Sequence, residues 1–328
     1  MERNPDLRQV EEGVLAVLAG EPCVDVAARM SVQPTELAAA AEQYRAAGYA
    51  ALEERAQRQG WHQVNLRFAD WRSAEHLAVT QLGPALADAA GLLGCWFFIR
   101  KAECWRLRYQ APNATSGQEA QTFLTQLLDR MLIQGQLTQW WETRYEPEVF
   151  AFGGPAGMTV AHNLFHHDSQ HILAYLSRES ANPPPNQRIG RREVSILLCS
   201  LLMRAAGQEW CEQGDVWTQV AQHRPTDPDT PPEQSHAITP ALRRLMTVDT
   251  GPTSTLIHSG PLQFAADWMA AFHQAGHELG NLGREGHLTR GLRAILAHHV
   301  LFAWNRLGLP YPQQSTLAST ARDIILRE

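Results

Sequence analysis

Hydrophobic positions recur along this chain with two periods, and the change between them divides it. Val10, Val14, Leu15 and Leu18 fall at helical spacing, and Gly20-Glu21-Pro22 breaks that run. Residues 24–30 begin a second helix, Ser31-Val32-Gln33-Pro34 reads as a turn, and Thr35 is placed to cap a longer helix through Tyr44 to Leu52. Residues 1–58 are thus expected to be a small helical module of helix-turn-helix type. From Trp61 the period drops to two. Residues 61–68, 95–101, 104–110 and 137–145 alternate like strands, the middle pair joined by a tight turn. Helical spacing returns over 73–90, 117–134, 158–176, 191–212, 262–279 and 288–307. Residues 182–186 and 226–233 are rich in proline and read as loops. Strands early and helices late predict an α+β domain over residues 59–328.

Composition narrows the function classes. The chain has 328 residues, 44% hydrophobic and 19% charged, enough to bury a sizeable core. A net charge of −6 argues against broad phosphate binding, and a local basic patch can still exist within it. Acids outnumber bases in the first 60 residues, so the helical module suits peptide docking or packing better than DNA. Cys23, Cys95, Cys104, Cys199 and Cys211 are odd in number and form no CxxC pair, the usage of a reducing cytoplasm. No secretory signal pattern and no apolar run of about 20 residues is seen, so no membrane partner is expected.

Three constellations carry candidate chemistry. His162, His166, His167 and His171 fall in i, i+4 pairs around Asp168, but HExxH is absent and no cysteine lies nearby. A polar helix face with hydrogen-bonded core histidines accounts for the pattern, and no metal is expected. His298 and His299 on the last predicted helix are further imidazoles. Gly153-Gly154-Pro155-Ala156-Gly157 joins a strand to a helix, where a backbone can approach a ligand or simply turn tightly. Arg106 and Arg108 share one strand face, with Trp105, Leu107 and Tyr109 on the other; Arg100 and Lys101 lie on the neighbouring strand. Two adjacent guanidiniums make a fork suited to carboxylates, and a solvated charged strand would show the same spacing. Neither a GxSxG elbow nor a Cys/His nucleophile pattern is present.

Taken in order, Trp61 to Phe68, Trp96-Phe-Phe-Ile-Arg-Lys101, Trp105-Arg-Leu-Arg108, Tyr145-Glu-Pro-Glu148, Gly153-Gly154 and Leu164-Phe-His-His-Asp-Ser169 resemble the glutamate-elimination domain of lantibiotic dehydratases. The resemblance covers roughly residues 61–310 and extends to stand-alone thiopeptide-type bacteriocin biosynthesis proteins and pyridine synthases. It implies tailoring of a leader-bearing ribosomal precursor peptide, without a cofactor and without direct tRNA or DNA binding. Arg106 and Arg108 match the family's Arg-x-Arg and would hold a leaving glutamate, with Glu148 orienting them and His298 or His299 handling protons. Arg100, Gly153, Gly154, His166, Asp168, Ser169 and Arg306 would line the peptide site. Two positions depart from the family's pattern: Ala151 stands where the dehydratases have an arginine, and Leu301 where they have a histidine. Three readings follow. One is a lyase working with a separate glutamylating dehydratase. Another is a [4+2] pyridine-forming cyclase acting on dehydroalanines, with leader expulsion. The third is a non-catalytic peptide-presenting partner.

Overall fold

The computed structural model describes residues 7–58, 60–101, 103–184, 188–226, 232–251 and 253–327. Two compact units meet in sequence at Gln59 and Gly60. The first holds α1 (Leu7–Leu18), α2 (Cys23–Met30) and α3 (Pro34–Arg58) around Val14, Val26, Ala27, Leu37 and Ala41. Ser31 ends α2 in the left-handed conformation. Thr35 is not a cap: α3 already begins at Pro34, whose fixed φ and missing N–H suit a first helical turn.

In the second unit, β1 (Trp61–Phe68), β2 (Cys95–Lys101), β3 (Cys104–Gln110) and β4 (Leu137–Thr143) form an antiparallel sheet in the order β2-β3-β1-β4. Around these strands run α4 (Ala74–Leu77), α5 (Gly83–Asp88), α6 (Ala90–Leu93) and α7 (Ala114–Ile133). The predicted single helix over 73–90 is interrupted by a π-helical turn at Ala78–Leu82 that runs into Gly83-Pro84. After the sheet come α8 (Pro155–Ser180), α9 (Arg191–Ala205), α10 (Trp210–His223), α11 (Pro232–Thr247), α12 (Thr255–His258), α13 (Ala266–Arg284), α14 (Leu292–Leu307) and α15 (Tyr311–Leu326). The helix expected over 191–212 is two helices, because Gly207 at φ +79° breaks the ladder after Ala205. Of the predicted loop over 226–233, residues 227–231 lie outside the described residues, as do 185 and 186 of the other.

The two sheet faces have different fates. Val64, Leu66, Phe98, Trp105 and Leu107 point into the main core with Ala78, Leu82 and Leu86. On the opposite face, Trp61 and Phe97 join Tyr145, Phe152, Met158, Ala161 and Phe165 in a second, aromatic cluster. The remainder of that face carries Gln63, Asn65, Arg106 and Arg108 in register, Gln63 opposite Arg108 and Asn65 opposite Arg106. The sheet therefore offers one partly polar face, and the site lies there.

Candidate functional site

A cavity of about 810 Å³ is lined from this face by Ile99, Arg106 and Arg108, and also by Arg100 and Trp105 of the opposite face. It is lined by β2 and β3, by the segment before α4, by Glu148, by Phe302 and Asn305 of α14, by Arg224 just past α10, and by the start of α15. Six cationic side chains, Arg72, Arg100, Lys101, Arg106, Arg108 and Arg224, line it against two carboxylates, Glu75 and Glu148. In a chain of net charge −6, so local an excess of positive charge makes the cavity attractive to an anion.

These cations differ in how far they are already engaged. Arg100 is buried, packs over the Trp105 ring at 4.6 Å and is ion-paired to Glu75. Glu75 is also held by Arg191, whose Nη2 lies 2.5 Å from Oε2. Burial pushes the Arg100 guanidinium down to about 10, against the pull of Glu75. Arg108 is 5% exposed. Its Nε donates to Gln63 Oε1 at 2.7 Å, its guanidinium carbon lies 4.2 Å from the Tyr145 ring centre, and its Nη1 is 3.9 Å from Glu148 Oε2. Gln63 is itself fixed by donating to Thr143 Oγ1 at 2.7 Å, a bond shared by Asn65 at 2.9 Å. Burial lowers the Arg108 pKa, and the neighbouring Tyr145 and Glu148 counter it. Arg106 makes no hydrogen bond or ion pair among the described residues, and its Nε is buried without a partner. Arg108 Nη1 and Glu148 Oε2 also lack hydrogen-bond partners.

Of the sequence candidates, the cavity brings together Arg100, Arg106, Arg108 and Glu148. The others lie elsewhere. Gly153 and Gly154, at φ +87° and +94°, form the turn into α8 and do not line the cavity. A Cβ on Gly153 would sit 2.4 Å from Ile295 Cδ1, and one on Gly154 2.8 Å from Thr289 Cγ2, so this turn is a close-packing device. Thr289 N donates to Gly153 O at 2.9 Å and ties the turn to the segment before α14. His166 and Ser169 cover the free edge of β2. The Phe98 amide donates to Ser169 Oγ at 3.2 Å, and His166 Nδ1 meets the Trp96 main chain, 2.9 Å from its carbonyl. Asp168 and Arg306 form a buried ion pair at 2.6 Å, and Trp268 Nε1 donates to the same carboxylate at 2.7 Å.

Neither candidate imidazole lines the cavity. His299 is wedged against Phe152 with both ring nitrogens unpartnered, and burial drives its pKa down to about 3. His298, one helical turn before Phe302, donates from Nδ1 to Ala294 O at 2.9 Å and lies edge-on to His223. His162 is also a core residue, its Nε2 3.0 Å from the Tyr145 hydroxyl. Among the described residues, no three His, Cys, Asp or Glu side chains come together as a metal set. No described helix is long and apolar enough to cross a membrane.

Comparison with known proteins assigns the architecture. The family model "Lantibiotic biosynthesis dehydratase C-term" matches residues 61–325, nearly the whole second unit. The chain belongs to that family. No curated protein matches it. Among solved structures, the tRNA-dependent lantibiotic dehydratase MibB from Microbispora sp. 107891 superposes with a TM-score of 0.64 at 18% identity, covering 82% of this chain and 28% of MibB. The chain therefore spans little more than a quarter of that protein. TsrL gives 0.54 at 16% identity, covering 82% and 95% of the two chains. The pyridine synthase TbtD from thiomuracin biosynthesis gives 0.53 at 12%, covering 82% and 98%. At such identities the likeness to these three is one of fold. Family membership places the chain with proteins of ribosomal-peptide biosynthesis.

Several cavity residues carried no signal in the sequence. Arg224, Tyr311 and Gln314 arrive from helix ends more than 110 positions beyond β3, and no motif links them to it. Gln63 and Asn65, which stand behind the lining rather than in it, had a visible cue, because they are polar positions in the period-two pattern of β1.

Proposed function

We propose that this cavity binds a glutamylated Ser or Thr side chain of a ribosomal precursor peptide and expels glutamate by β-elimination, leaving a dehydroamino acid. Arg106 carries the reading: a partly buried guanidinium with no protein partner, beside Arg108 in a cationic cavity. A guanidinium without an anion, beside Arg108 that is itself fixed by Gln63 and Tyr145, is available for charge that arrives with the substrate and grows on the leaving oxygen. In the reaction the Cα proton is removed, its electron pair forms the Cα=Cβ bond, the Cβ–O bond breaks, and the electron pair of that bond leaves on the glutamate carboxylate. Glu148 is assigned the proton. It is the lining carboxylate free of a close ion pair, whereas Glu75 is held by Arg100 and Arg191. The substrate would be supplied by a separate glutamylating dehydratase.

A second reading, the [4+2] cyclase, is favoured by the absence of histidine from the lining and by the aromatic walls Trp71, Phe302 and Tyr311. That reaction depends on orientation more than on proton transfer. Mass spectrometry of two precursors separates the readings. Elimination converts a glutamylated peptide to a dehydrated one with release of free glutamate, and leaves a multiply dehydrated peptide unchanged. Leader expulsion from the dehydrated peptide, with the glutamylated one untouched, would replace elimination by cyclisation.

A further inference from the structure

Among the cavity's cations, Arg224 is assigned by neither sequence motif nor family pattern and is fixed by the protein without an anion. Arg224 directly follows α10 and faces the cavity from the helical side, whereas Arg106 and Arg108 face it from the sheet. Its guanidinium is fixed on one side only. Nε donates to Gln314 Oε1 at 2.7 Å, Nη1 donates to the His223 carbonyl at 3.0 Å, and the plane lies 5.5 Å from the Tyr311 ring centre. Gln314 is in turn held by donating to the Leu309 carbonyl at 2.8 Å and to Asn305 Oδ1 at 3.2 Å. No carboxylate among the described residues pairs with Arg224, and Nη2 makes no hydrogen bond to any of them. A guanidinium pinned through neutral oxygens keeps its full charge and a preset orientation for an incoming acid.

We infer that Arg224, with Gln314 and Tyr311 as its mount, is a second carboxylate subsite, so that the cavity grips a dicarboxylate between its sheet wall and its helical wall. This rests on the elimination reading and specifies the leaving group. Glutamate leaves with two carboxylates, one present throughout and one that forms as the ester oxygen departs. Arg106 and Arg108 face the forming carboxylate beside Glu148, and Arg224 holds the standing one. A monocarboxylate leaving group would engage only one wall.

Calorimetric titration with glutarate and with butyrate, its monocarboxylate counterpart, tests the subsite without any turnover. The wild type is expected to bind glutarate about tenfold more tightly than butyrate, one charge-assisted contact's worth. Arg224→Gln should erase that preference by weakening glutarate alone, while Arg106→Ala weakens both acids. Arg224→Lys, which keeps the charge and loses the fork, should retain part of the preference and stands in if the glutamine variant does not fold. Equal affinity of the wild type for the two acids, no binding of either, or a glutarate preference that survives in Arg224→Gln would overturn the subsite. The elimination reading fails separately: an Arg224-dependent glutarate preference in a protein that releases no glutamate from a glutamylated peptide keeps the subsite and removes the reaction.

Discussion

At the scale of single residues, the arginines of this protein divide into those that hold the fold and those left without a protein anion. Arg306 belongs to the first kind, and its partner Asp168 is just as deeply buried. Removing one member of such a pair strands the other charge in the core, so Asp168→Ala is expected to cost about 3–5 kcal/mol in urea unfolding. Arg106 belongs to the second kind, and its replacement by alanine should leave the unfolding midpoint nearly unchanged. The buried imidazoles give a pH signature. His162 and His299 are both pushed down to about 3 by burial, so they stay neutral in the fold while the unfolded chain takes up protons below the ordinary 6.5. Their neutrality therefore contributes stability that is complete above pH 6.5 and is lost as pH falls from 6.5 towards 3. His299→Leu, which removes two unpartnered nitrogens from an aromatic pocket, should flatten the fall in unfolding free energy across that window and leave stability at pH 8 equal or higher. An unchanged pH slope would show that His299 is not the buried neutral group described.

At the scale of elements, the α8 entry and the β2 edge decide where the sheet can stay open. The diglycine turn and the small Gly157 let α8 press against Phe152, Leu288 and Ile295; a Cβ at Gly157 would lie 1.9 Å from the Phe152 carbonyl oxygen. Gly153→Ala combines a left-handed φ with a clash and is expected to destabilise by about 1–3 kcal/mol, read as a lower thermal midpoint. Much of this level was legible in the sequence. Period-two alternation placed all four strands, and the glycines marked the turn before α8. Less legible were the breaks: Gly207 splits one apolar run into two helices, and Pro240 inside α11 hides a helix by interrupting its pattern. His166, Asp168 and Ser169 look like site residues as a motif, yet the helix turns them towards the β2 edge and the core, because a free strand edge and a buried arginine both need partners. Arg224 was invisible for the complementary reason: a lone arginine at a helix end acquires meaning only when tertiary packing brings it opposite β3.

At the scale of the whole molecule, a chain of net charge −6 carries a locally cationic cavity. Field focusing of this kind is screened by salt, with a Debye length of about 8 Å at physiological ionic strength. Affinity for glutarate should accordingly fall several-fold between 50 mM and 500 mM salt, whereas a purely apolar pocket would show no such loss. The first unit has its own core and exposes Val24, Tyr49 and Leu52 to solvent. With its acidic excess, it is proposed to dock the precursor's leader or a partner enzyme. Deleting residues 1–58 should weaken binding of the full precursor without lowering the melting transition of the second unit, and unchanged affinity would remove that role. The claim on which the rest depends is that Arg106 meets a leaving carboxylate, and release of free glutamate from a glutamylated precursor measures it most directly. Wild-type protein should release one glutamate per modified residue, and Arg106→Ala, folded to the same stability, should do so about a hundredfold more slowly. Failure of the wild type to release glutamate, or release undiminished in the variant, would contradict it.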